Sequence, residues 1–236
     1  MTFRSEEHRL TGILHLPDID RPPVVIGSHG LHGSAASAKQ VELAAACVAA
    51  GIGFFRFDHR GCGHSTGDFA RATTLAGRVN DMLNATETII FRADTAETFG
   101  FFGSSFGGTV CIAATGLRKP AAVVMCAAPV RSSDIDPARA VPADDSTAAH
   151  PRPADLQFDV SGNMGALKDV LLFHGDADEV VPYRHGGEIY AAAADPKKLV
   201  TLPGGDHRMT DPLHQKLFVA ETIRWFRDRL LIPGRI

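Results

Sequence analysis

The sequence has no stretch approaching the ~18 consecutive apolar residues that a membrane span requires, so stable insertion in a bilayer is not expected. Basic charge is also missing. Lys and Arg number 24 against 27 Asp and Glu, a formal net charge of −3, which leaves no electrostatic footprint for nucleic acid. Cysteine is sparse: Cys47, Cys62, Cys111 and Cys126 lie far apart and form no C-x-x-C pair, so a disulfide framework is not expected. Cys47, Cys111 and Cys126 sit among apolar or small residues, where a free thiol packs as a small hydrophobe. With reduced thiols and no apolar h-region between Met1 and His8, the expected location is cytoplasmic. There are 11 histidines but no H-x-x-x-H or H-E-x-x-H pair, so zinc spacing is absent and no metal or other cofactor is expected. No internal repeat or low-complexity tract occurs.

What remains is the composition of an ordinary globular chain, 44% hydrophobic and 22% charged over 236 residues. Residues 1–236 are read as a single domain. Short apolar runs alternate with longer amphipathic ones, which predicts an α/β fold with a mainly parallel sheet flanked by helices. Predicted strands are Val24 to His29, Gly53 to Phe57, Thr98 to Phe102, Ala122 to Cys126, Val170 to Phe173 and Leu199 to Leu202. Predicted helices are Lys39 to Ala50, Leu75 to Phe91, Phe106 to Leu117, Tyr183 to Ala194 and Pro212 to Leu231. His8 to Leu16 alternates and is expected as an antiparallel strand at the sheet edge. Between Arg131 and Gly165 stand four prolines and six aspartates with few large apolar residues. Such a segment is expected to form a short polar cap or excursion over the sheet.

Two stretches match G-x-S-x-G, around Ser65 and around Ser105. Glycine fills 23 of the 236 positions, and at such frequencies roughly one chain in ten matches by chance. Context separates the two. A nucleophile elbow needs a strand, a sharp turn and a helix, with small residues two positions to either side of the serine. The run ending at Phe102 supplies the strand, Gly103 and Gly107 the small flanks, and the residues from Gly108 to Ala114 the helix. Ser65 lies among Gly61, Gly63 and Gly67 with no clear helix after it, so it reads as structural. Ser104 is one position out of register.

A serine hydroxyl needs a base at neutral pH, and histidine has a suitable pKa. His207 follows a strand in a turn-rich loop before the last helix, where an open α/β sheet presents reactive groups. His29, His32, His59, His64 and His174 also follow strands and are expected mostly to satisfy backbone groups. His8, His15, His150, His185 and His214 are expected at the surface or edge. The carboxylate that would orient the base lies in the loop from His174 to Pro182, where Asp176, Asp178 and Glu179 all qualify by chemistry. The chain order serine, acid, histidine is that of an α/β-hydrolase.

Four motifs together resemble the α/β-hydrolase superfamily: Ser28-His29-Gly30-Leu31-His32-Gly33, the stretch from Asp58 to Ser65, Gly103-Ser104-Ser105-Phe106-Gly107-Gly108, and His174-Gly175-Asp176-Ala177-Asp178. Within it the chain looks most like small serine esterases and acyl hydrolases of the feruloyl-esterase or monoglyceride-lipase type, from about residue 10 to 230. The resemblance implies Ser105 as nucleophile, Asp178 as acid and His207 as base. It also implies an oxyanion hole made by the backbone N–H groups of Leu31 and Phe106. The implied reaction is cleavage of a small or medium carboxylic ester, with a small-molecule ester as the partner. Peptidase or amidase action and acyl-CoA thioester cleavage would use the same triad, and a non-catalytic binding member would keep the fold alone. The polar segment from 131 to 165 departs from the helical or hairpin lids of such relatives. Serine at the elbow departs from the cysteine of dienelactone hydrolases.

Overall fold

Three apolar runs fix the middle of the sheet. Val24–Ser28 (β3), Ala122–Cys126 (β6) and Lys168–Gly175 (β7) bury side chains on both faces, as strands must when helices cover a parallel sheet on each side. Alternate residues then serve different cores. Val24, Ile26, Val123, Met125, Val170 and Leu172 point to one, while Val25, Val124, Leu171 and Phe173 point to the other.

The computed structural model describes residues 1–136 and 156–231. Its sheet has eight strands in the order β1-β2-β4-β3-β5-β6-β7-β8. The remaining strands are β1 (Thr2–Ser5), β2 (His8–His15), β4 (Gly53–Phe57), β5 (Phe99–Ser104) and β8 (Ala194–Leu202). β1 pairs with β2, and β2 with β4, in antiparallel fashion. All pairs from β4 to β8 are parallel. The helices are α1 (Ala38–Ala49), the short α2 (Phe69–Ala72), α3 (Leu75–Ile90), α4 (Phe106–Thr115), α5 (Arg184–Ala192) and α6 (Pro212–Leu230). α3, α4 and α5 pack on the first core and α1 and α6 on the second.

Local chemistry sets the helix ends. Thr74 caps α3 by accepting from Gly77 N–H, and Asp211 caps α6 by accepting from Leu213 N–H, with Pro212 in the first turn. No helix among the described residues is long and apolar enough to cross a membrane. All four cysteines are free and buried.

The chain passes from β3 outward to β4, then returns to place β5 on the other side of β3. Successive connections therefore diverge above the carboxyl ends of β3 and β5, the switch point at which open α/β sheets bind their ligands.

Two expectations need correction. The strand from His8 is not at the sheet edge, because Thr2–Ser5 pairs outside it. His185 is not a surface residue: it is fully buried, and its Nδ1 accepts the Val130 N–H at 2.9 Å. The expected cap over 131–165 falls largely on 137–155, outside the described residues. Its described flanks are short 3₁₀ turns at Ser132–Asp134 and Ser161–Ala166, with Arg131 bridged to Glu188 at 2.7 Å.

Candidate active site

The turn after β5 is forced by its glycines. Ser105 adopts φ 52°, ψ −125° between the strand and α4. That left-handed value is costly for a side-chain-bearing residue and persists only where neighbours hold it. A Cβ on Gly103 would stand 2.4 Å from the Gly107 carbonyl oxygen, and one on Gly107 would stand 2.2 Å from that of Ser28. Backbone thus packs against backbone on both sides of the serine. The Ser105 N–H donates to the Cys126 carbonyl at 2.8 Å, so the turn still leans on β6 as it reverses.

Three of the expected side chains meet there. His207 Nε2 lies 3.0 Å from Ser105 Oγ, and His207 Nδ1 lies 2.9 Å from Asp178 Oδ2 and 3.1 Å from Oδ1. They come from loops after β5, β7 and β8, at one end of the sheet. An ionised carboxylate facing Nδ1 calls for a proton on that nitrogen, which leaves Nε2 free to accept from the serine hydroxyl.

The Asp178 side chain is wholly buried. Burial pushes its pKa up, but hydrogen bonding to His174 and His207 and from the Val181 N–H outweighs this and holds the carboxyl well below the usual range. The Val180 and Val181 N–H groups donate to Oδ1 at 2.9 and 2.7 Å. His174 Nε2 stands 2.9 Å from the Val181 carbonyl oxygen and 3.5 Å from Asp178 Oδ2.

The acids left open by chemistry now part company. Asp176 accepts the Gly204 N–H at 2.6 Å, and Glu179 accepts the His207 N–H at 3.2 Å. Both brace the histidine's loop, and Asp178 alone among these acids lies against the ring. Asp206 turns away to accept from Thr210.

Of the two expected oxyanion donors, Phe106 opens α4, where an N–H has no intrahelical acceptor. Leu31 follows Gly30, on which a Cβ would stand 3.6 Å from Ser105 Cβ, so this loop lies directly beside the serine. Gly30 O and Leu31 O accept from Arg78 Nη1 and Nη2 at 3.2 and 2.8 Å. Arg78, on α3, was not singled out by its residue type, since a charge inside an amphipathic helix reads as solvent-facing. Its spacing held a signal: position 78 shares the buried stripe of Val79, Met82, Ala85 and Ile89.

Ser65 is placed elsewhere. Its hydroxyl donates to the Asp58 carbonyl at 2.6 Å and accepts the Thr11 N–H at 3.0 Å, tying its loop to β2. His29 and His59 lie beneath the site. His29 Nε2 accepts the His59 N–H at 3.1 Å, and His59 meets Ser28 at 2.8 Å and Asp81 at 3.3 Å.

A family model described as serine aminopeptidase, S33, matches residues 21–151. Among curated proteins, the chain is 31% identical over 170 residues to the uncharacterized protein YfhR of Salmonella typhi, a match covering 66% of this chain and 55% of that protein. The chain spans about half the length of these YfhR relatives. Among solved structures, it is similar to Est1E from Butyrivibrio proteoclasticus with ferulic acid bound. That match has a TM-score of 0.81 and 20% identity, covering 98% of this chain and 100% of the other. The esterase domain of a Rhodothermus marinus protein matches with a TM-score of 0.73 and 21% identity, covering 98% of each chain. At these identities the structural likeness shows the fold.

Proposed function

The chain belongs to the serine aminopeptidase S33 family of α/β-hydrolases, and from that premise we propose a serine hydrolase that cleaves a small or medium carboxylic ester. The observation that carries the proposal is the unbroken relay from Ser105 Oγ through His207 to Asp178, with steps of 3.0 and 2.9 Å. Ser105 Oγ attacks the ester carbonyl while its proton passes to His207 Nε2. The buried Asp178 carboxylate stabilises the imidazolium, and the N–H groups of Leu31 and Phe106 receive the oxyanion. Collapse of the tetrahedral intermediate breaks the bond to the alcohol oxygen, which takes the proton from His207. Water then repeats the cycle on the acyl-enzyme, frees the acid and restores the serine. No metal or organic cofactor enters this scheme, and the expected setting is action on a soluble substrate in the cytoplasm.

The family's description favours a second reading, an aminopeptidase on the same triad. Such an enzyme needs acidic groups to hold its substrate's α-ammonium. Among the described residues, the cavity of about 260 Å³ adjoining Gly30 and Ser104 is lined by Lys39, Arg208 and Glu42 but by none of Ser105, Asp178 and His207, so the relative turnover of amide and ester substrates decides between the two readings.

A panel of matched ester, thioester and amide substrates, run beside a fluorophosphonate probe, tests the proposal. Ester turnover should dominate, and Ser105→Ala should abolish labelling and lower turnover by about 10⁴- to 10⁶-fold. Faster amide than ester turnover would move the assignment to a peptidase. Turnover that survives Ser105→Ala would sink both.

A further inference from the structure

We propose that Arg78 is a positioning residue for the oxyanion hole: its guanidinium fixes and polarises the peptide that carries the Leu31 N–H, while its face braces Phe106. The inference rests on the reading of Ser105 as nucleophile.

Gly30 O is the focus of three donors. Arg78 Nη1 reaches it at 3.2 Å, the Gly33 N–H at 3.1 Å and His29 Nδ1 at 2.7 Å. The His29 contact is a donation, because its Nε2 accepts the His59 N–H and the proton of the neutral ring must then sit on Nδ1. Burial supports that neutral state by pushing the His29 pKa well down.

Gly30 C=O and Leu31 N–H belong to one peptide plane, and Asp195-Pro196 is the cis bond found among the described residues. In a trans peptide the carbonyl and the N–H point in opposite directions. Fixing the oxygen therefore fixes the N–H on the far edge. A cation on the oxygen also draws electron density from the plane and strengthens the N–H as a donor. Arg78 Nη2 holds the next carbonyl, Leu31 O, at 2.8 Å, so both ends of that residue are restrained.

The second proposed donor is tied to the same group. The Arg78 guanidinium carbon lies 5.3 Å from the centroid of the Phe106 ring. One side chain from α3 thus touches the residues on both sides of the reacting serine.

Packing does not explain why a cation is there. Arg78 is fully buried, and no carboxylate pairs with it among the described residues. Asp81, three positions on, is occupied by His59 and Arg60. Arg78 Nη2 also donates to Cys62 Sγ at 3.3 Å. A buried cation with no carboxylate in direct contact is costly even with Asp81 acting on it through space, and an apolar side chain of that volume would fill the space more cheaply. The planar fork spans two adjacent carbonyls, which a lysine ammonium does not do.

The test compares Arg78→Met and Arg78→Lys with the unaltered chain. The readouts are kcat per fluorophosphonate-titrated site, KM, and affinity for a boronic acid whose tetrahedral adduct places an oxygen in the hole. Arg78→Met should lower kcat about 10- to 100-fold and weaken the boronic acid by a similar factor, with KM nearly unchanged. Arg78→Lys should recover part of the loss, because it keeps the charge but not the fork. A purely structural role would instead lower the titratable fraction and leave kcat per site intact. A folded variant with kcat per site within about threefold of the unaltered chain overturns the inference. Where Arg78→Met does not fold, Arg78→Lys is held to that same criterion. Failure of Ser105→Ala to stop turnover would strike the proposed function, so the two failures are distinguishable.

Discussion

The molecule contains the same five-residue pattern twice, and the two copies lead different lives. At Gly63 to Gly67 the serine hydroxyl is consumed twice over, donating to Asp58 and accepting from Thr11, and it serves as a pin between a loop and β2. At Gly103 to Gly107 the serine is lifted onto a positive φ between strand and helix, and its oxygen faces an imidazole. Glycine also does different work in the two places. Gly63 and Gly67 supply positive φ to a loop, whereas Gly103 and Gly107 let backbones meet at distances that exclude a Cβ. Among the described residues, the Ser65 hydroxyl is spent on backbone groups while the Ser105 hydroxyl meets an imidazole.

The sharpest way to break the contrast is to remove what stands behind the imidazole. Asp178→Asn should lower kcat by about 10⁴-fold through loss of the correct tautomer, while Asp176→Asn costs only a few-fold. Steady-state kinetics on the two variants measures this, and equal losses would return the acid to the other carboxylates of the loop.

A smaller effect belongs to the Ser65 region, where His59 shares the loop. Burial pushes its pKa down from 6.5 to about 4, despite hydrogen bonding to Asp81. The folded chain keeps this ring neutral while the unfolded chain protonates it below its ordinary pKa. Stability should therefore fall as pH drops from 6.5 towards 4, by roughly 1 to 2 kcal/mol between pH 6.5 and 5. Urea unfolding at both pH values reads the slope. His59→Gln should flatten it, and an unchanged slope would place the proton uptake elsewhere.

The least effect is expected from the pin itself. Ser65→Ala removes a donor and leaves the Thr11 N–H short of an acceptor, which should cost about 1 kcal/mol of stability. Fluorophosphonate labelling should be untouched. Lost labelling in a folded Ser65→Ala chain would reverse the roles given to the two serines.

The parallel sheet was legible because its strands are buried on both faces, so they read as unbroken apolar runs such as Val170 to Phe173. The meeting of Ser105, Asp178 and His207 was legible because each follows a strand and parallel strands end on one side. β1 was missed: Thr2–Ser5 is four residues long, and its pairing comes from β2 rather than from any pattern of its own. His185 was misplaced because histidine is at home on surfaces, whereas here it answers a buried Val130 N–H. Arg78 was missed for a related reason. Residue type argued for solvent, and only the helical phase of position 78 argued for the interior. Choosing among Asp176, Asp178 and Glu179 depended on side-chain direction over a few residues of loop, which composition and spacing do not encode.

The bent backbone at Ser105 sets protein engineering against itself. Glycine tolerates that conformation without strain, so a library sorted for heat resistance alone would be drawn towards Ser105→Gly. On the proposed mechanism the survivors would be hardier and inert. Any campaign to toughen this chain has to select for turnover in the same round.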